Sequence, residues 1–157
     1  MSDKVTGIKK QDSLPIVVAS DHGGFELKEI LKDYLIAEGY EVQDVGTHSA
    51  ESVDYPDFAD AAAAVIRKGE ADRAVLVCGS GIGISIRANR YPFIRAALVH
   101  DALGTRLCRQ HNDANVLVLG GRTTGIDVAK DCLDIFMKTD FEGGRHARRV
   151  AKLGAPC

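Results

Sequence analysis

No stretch of this 157-residue chain approaches the roughly 20 consecutive apolar residues that cross a bilayer; the longest runs, at 61–66 and 116–119, are a few residues each. A soluble protein that makes no membrane contact is therefore expected. Charge of one sign is also scarce, with 20 Lys+Arg against 22 Asp+Glu giving a formal −2. No global field then favours nucleic acid, and any basic site must be local. Cysteine is sparse and unpaired: Cys78, Cys108, Cys132 and Cys157 form no Cys-x-x-Cys pair, and polar residues 1–13 carry no secretory core. The expectation is four thiols in a cytoplasmic protein, with 1–13 a flexible tail and 14–157 a single domain. The five histidines include no His-x-x-x-His pair, so no metal site is expected.

What is present is a regular alternation. Residues 15–20 (PIVVAS) read as a strand and 21–24 (DHGG) as a loop, after which Phe25, Leu27, Ile30, Leu31, Tyr34 and Leu35 mark one helix face ending at Gly39. Further strands are expected at 40–45, 74–78, 95–100 and 116–119. Helices are expected from 57 to about 67, after the glycine loop to about 89, over 102–110 and over 126–138, with another beginning near Gly143-Gly144. Five strands alternating with helices predict an α/β fold, a Rossmann-like three-layer αβα sandwich with a five-stranded, mostly parallel sheet. Ligands of such folds bind beyond the carboxyl ends of the strands. Asp21-His22, 78–83, Asp101 and 120–122 follow strands and are expected to share that edge.

The segment 75–87, VLVCGSGIGISIR, carries the strongest chemical signal. Gly79, Gly81 and Gly83 allow backbone amides to face outward at a helix start, which suits an anion. Ile84 stands where a dinucleotide fingerprint needs its last glycine, and Ile84-Ser85 where a phosphate-binding Walker loop needs Gly-Lys. Arg87 comes three residues too late for a cysteine-phosphatase loop. Cys78 fits a buried strand end; it also fits a proton carrier, because a helix start favours the thiolate form that moves protons. His111, in RQHND (109–113), fits a helix cap or a catalytic group. Arg145 and Arg149, four apart, fit a solvated basic tail or a phosphate clamp.

In order, SDHGG (20–24), DYPD (54–57), CGSGIGIS (78–85), RQHND (109–113) and GGRH (143–146) resemble the ribose-5-phosphate isomerase type B family, over about 15–150. The resemblance implies a homodimer, or a dimer of dimers, with sites shared between chains. It implies an aldose-ketose isomerase without metal, nucleotide or other cofactor, acting on a small sugar phosphate through a cis-enediol in the non-oxidative pentose phosphate pathway. Carried over, Cys78 is the base moving a proton between C2 and C1, His111 the acid that opens the furanose ring, and Ser80 a hydroxyl assisting the thiol. Asp21 and His22 bind the sugar end and Asn112 a sugar oxygen. The amides of Gly79, Ser80, Gly81, Ile82 and Gly83 form an anion hole, and Arg122, Arg145 and Arg149 hold the phosphate. Thiol, amides and arginines are then expected to converge on one edge.

Ser80 replaces a threonine frequent in the family, and Leu103-Gly104 replace an aromatic followed by serine. Another branch uses a glutamate six positions after the cysteine position, where this chain has Ile84. Ribose 5-phosphate is the leading substrate; allose 6-phosphate, galactose 6-phosphate and tetrulose phosphates are alternatives within the family. A non-catalytic sugar-phosphate sensor and a phosphoacceptor domain using Asp21 or Asp101 are the competing classes.

Overall fold

Alternating side-chain direction along five short strands divides the apolar residues into two cores, one on each face of a sheet. The computed structural model describes residues 13–157, so the tail expected over 1–13 lies, except for Ser13, outside the described residues. The strands are β1 (Ile16–Ser20), β2 (Val42–Asp44), β3 (Arg73–Cys78), β4 (Ala96–Leu98) and β5 (Val116–Gly120). The helices are α1 (Phe25–Ala37), α2 (Tyr55–Arg67), α3 (Ile82–Ala88), α4 (Ala102–Gln110), α5 (Ile126–Lys138) and α6 (Arg145–Leu153). All strand pairs are parallel, in the order β2-β1-β3-β5-β4.

One face of the sheet offers Ile16, Val18, Val75, Val77, Leu117 and Leu119 to Leu27, Leu31 and Leu35 of α1, Cys108 of α4, and Ala129, Cys132, Leu133 and Phe136 of α5. The other offers Val17, Ala19, Leu76, Cys78, Val116 and Val118 to the small residues Ala59, Ala62 and Ala63 of α2 and to Ile84 and Ala88 of α3. Strands covered on both faces must be apolar throughout, which is why IVVAS and VLVLG are continuous runs.

Two expectations are corrected. The outer strands β2 and β4 are three residues each, shorter than the six expected, since each has a neighbour on one side only. The loop expected at 21–24 is a 3₁₀ turn over His22–Gly24, closed by Gly24 N–H donating to the Asp21 carboxylate at 3.0 Å. Glycine at 24 is obligatory, because a Cβ there would lie 2.5 Å from the backbone carbonyl of Val77. Among the described residues no helix is long and apolar enough to cross a membrane.

Candidate active site

The connection from β1 leads to β2 on one side and that from β3 leads to β4 on the other, which opens a crevice beyond the carboxyl ends of β1 and β3. A cleft of about 620 Å³ lies there, lined by Asp21, Tyr55, Cys78, Ser80, Gly83 and Arg122 among others. Cys78, the last residue of β3, is 3% exposed. Gly121 N–H donates to the Cys78 carbonyl at 2.8 Å and Arg122 N–H to the Gly79 carbonyl at 2.9 Å, so the ends of β3 and β5 are stitched together and the Arg122 side chain lies over the glycine loop. Gly81 adopts a φ of +77°, and a Cβ there would press on the Leu98 side chain and the Leu119 carbonyl. The turn therefore admits glycine and little else.

The Ser80 hydroxyl accepts a hydrogen bond from Ile82 N–H at 3.2 Å. One amide of the expected cradle is thus satisfied within the loop. Asp21 is buried with its carboxylate on Gly24 N–H. His22 Nδ1 accepts from Val53 N–H at 3.2 Å, which places the ring hydrogen on Nε2. Tyr55, quoted in the sequence motif without a role, forms a wall of the cleft; its ring lies where a Cβ on Gly83 would fall. Only contact with a glycine far along the chain reveals it.

The segment carrying Val53 and Tyr55 is anchored from below by Lys28, 1% exposed on α1. Its ammonium donates to both Asp44 carboxylate oxygens at 2.8 Å and to the Thr47 carbonyl at 2.7 Å. Lys32 adds a contact to Asp44 at 3.0 Å and Gly46 N–H another at 3.0 Å. Burial pushes the Asp44 carboxyl up, but the Lys28, Gly46 and Lys32 hydrogen bonds, with the Lys28 charge, outweigh it and hold the group below the ordinary aspartate range.

The expected convergence on one edge does not occur within a chain. Helix α4 runs back against the parallel strands, so His111 and Asn112 at its end precede β5, whereas Cys78 pairs with Gly120 at the far end of that strand. Four residue steps along β5 are about 13 Å. Arg145, His146 and Arg149 on α6 lie with His111: the His111 and His146 rings stack at 4.4 Å and 14°, and Glu142 N–H donates to the Gln110 carbonyl at 3.1 Å. Only Arg122 of the three expected phosphate ligands borders the Cys78 cleft; Arg145 and Arg149 are exposed beside His146.

Sequence spacing does not reveal that His111, Glu142 and His146 bring possible ligand atoms within 4.8 Å of one another. Of these, His146 Nε2 lies 3.7 Å from Glu142 Oε2. Burial, His111, Arg145 and Arg149 all lower the His146 pKa against the opposing effect of Glu142.

The family model described as Ribose/Galactose Isomerase matches residues 16–153. Ribose-5-phosphate isomerase B of Escherichia coli K12 is 43% identical over 140 residues, 89% of this chain and 94% of that protein. The structure of Clostridium thermocellum ribose-5-phosphate isomerase B superposes with a TM-score of 0.88 at 51% identity, covering 90% of this chain and 95% of the other. Ribose-5-phosphate isomerase B from Mycoplasma genitalium, solved with bound ribulose-5-phosphate, gives 0.85 at 39% identity over 90% and 94%.

Proposed function

The chain belongs to the ribose/galactose isomerase family, and from that premise we propose that it interconverts ribose 5-phosphate and ribulose 5-phosphate through a cis-enediolate. The single observation that carries the reading is Cys78 at the end of β3, set in a cleft beside a glycine loop, Asp21 and Arg122. In the proposed step the Cys78 thiolate takes the proton from C2 of the open-chain aldose. The C–H electron pair becomes the C1=C2 double bond, and the negative charge passes to O1, facing loop amides that stabilise it more than they stabilise the neutral carbonyl. The proton returns to C1 while O2 loses its own to become the ketone oxygen and O1 becomes a hydroxyl. His22 and Asp21 orient the sugar; Ser80 shapes the loop through its bond to Ile82 N–H.

The site is completed by a second copy of the chain. What supports this is the separation of Cys78 from His111, Asn112, Arg145 and Arg149 within one chain. A two-fold dimer brings the end of β3 of one copy to the end of α4 of the other, twice. His111 of the second copy then donates the proton that opens the furanose, Asn112 holds a sugar oxygen, and Arg145 and Arg149 join Arg122 around the phosphate, with charge-assisted bonds of about 1.5–3 kcal/mol each. No cofactor, nucleic acid or membrane enters the scheme, and residues 14–157 act as one cytoplasmic domain. NMR in heavy water tests the chemistry: ribose 5-phosphate should yield ribulose 5-phosphate, with deuterium at C1 in those turnovers where the proton on Cys78 exchanges with solvent before it is delivered. Inertness toward it and toward allose and galactose 6-phosphates overturns the isomerase reading; turnover of a hexose phosphate alone changes the substrate.

A further inference from the structure

The RQHND segment supplies His111 and Asn112 to the proposed site and leaves Arg109 and Asp113 without a task. Among the described residues Asp113 is the one non-glycine with positive φ, +46°, a region that aspartate tolerates better than most residues because its short polar side chain can bond locally. Here that side chain is held from two directions. Arg109 Nη1 donates to Asp113 Oδ1 at 3.0 Å and to the Ala114 carbonyl at 2.7 Å, while its Nε donates to the Thr139 carbonyl at 3.1 Å. Arg95 Nε donates to the Asp113 carbonyl at 2.8 Å and Nη2 to Oδ2 at 3.4 Å. Two guanidinium groups therefore fasten the turn at 111–113 to the residue before β4 and to the connection between α5 and α6. The latter carries His146 onto the face of His111.

From this geometry we propose that Asp113, clamped between Arg109 and Arg95, is a positioning residue that sets the orientation of His111 and Asn112 for isomerisation. The inference rests on the reading of these two residues given above. His111 caps α4, its N–H donating to the Leu107 carbonyl at 2.9 Å, but Asn112 lies beyond the last helical residue, so the acid and the hydrogen-bonding amide stand where the helix gives out. Misplacement by about 1 Å can cost on the order of 100-fold in rate, so the clamp gives the turn the rigidity that an element would otherwise provide.

The test compares Asp113→Gly, which keeps the left-handed backbone accessible but deletes the carboxylate, with Asp113→Asn, which retains that backbone preference and an acceptor oxygen. D113G should lose roughly 10- to 100-fold in kcat/KM for ribose 5-phosphate. Its His111 and His146 ring-proton NMR signals, mutually shielded in the stack, should move toward those of exposed histidine. D113N should recover most of both. Wild-type turnover in D113G overturns the proposal, as does lost turnover with unmoved ring signals, or D113N no better than D113G. Should D113G fail to fold, Arg95→Met, which keeps the apolar stem but has no donor for the Asp113 carbonyl or carboxylate, must show the same shifts in weaker form or the proposal falls. The ring signals need no substrate, so an inert wild-type protein would overturn the isomerase reading while leaving the clamp to be judged separately.

Discussion

At Cys78 the expected role of a side chain meets three other thiols that cannot share it. Burial pushes Cys108 up to about 11, and its Sγ contacts the Thr105 carbonyl at 3.0 Å. Burial also raises Cys132, inside the α5 layer. Cys157 is exposed at the chain end, away from any strand terminus. Proton transfer by a positioned base contributes about 100- to 10,000-fold, so Cys78→Ala should lower kcat by that factor. The arginines proposed to anchor the phosphate are untouched, so sugar-phosphate affinity should stay within a few-fold of wild type. Calorimetric binding beside an NMR turnover assay reads both quantities, and unchanged turnover would remove Cys78 from the mechanism. The cysteine was legible as a candidate because it stands where an apolar run meets glycine. Tyr55 was not, because its role arises from contact with Gly83 across the cleft.

At the level of elements, the helices were visible from apolar spacing, as at Leu27, Leu31 and Leu35, whereas the turn at His22–Gly24 is too short to show a period. Lys28 was hidden for a different reason. Lysine in a helical pattern reads as solvent-facing, yet this one is buried and holds β2 and the segment leading to Tyr55 through Asp44 and Thr47. Breaking a buried pair by removing one partner costs about 3–5 kcal/mol where the other charge is left alone. Lys28 keeps Glu29 at 3.1 Å and the Thr47 carbonyl at 2.7 Å, so Asp44→Ala should destabilise by about 3 kcal/mol or less in urea unfolding. The pair also sets an acid limit. The Asp44 carboxyl titrates lower folded than unfolded, so its contribution is complete above about pH 4 and is lost as the pH falls through the folded value. As the pH falls below about 4, wild-type stability should fall more steeply than that of Asp44→Asn. Parallel slopes would show that Asp44 does not carry this linkage.

Across the whole molecule, the sheet and its ligand edge could be read from strands alternating with helices, and Asp21, Cys78 and Arg122 do meet there. The grouping of the α6 arginines on that edge does not hold within one chain, since they lie with His111. A residue that ends a helix ahead of a parallel strand belongs at the strand's start, and position relative to β5 separates His111 from Cys78. That separation gives a direct test of sharing between copies. Cys78→Ala and His111→Asn proteins should each be nearly inactive alone. After subunit exchange at equal concentrations, about half of the dimers are mixed, and each mixed dimer pairs the intact Cys78 of one chain with the intact His111 of the other at one of its two sites. Activity should therefore rise to about one quarter of wild type. Sites built within a single chain would gain nothing on mixing, because every chain in the mixture lacks either its thiol or its imidazole.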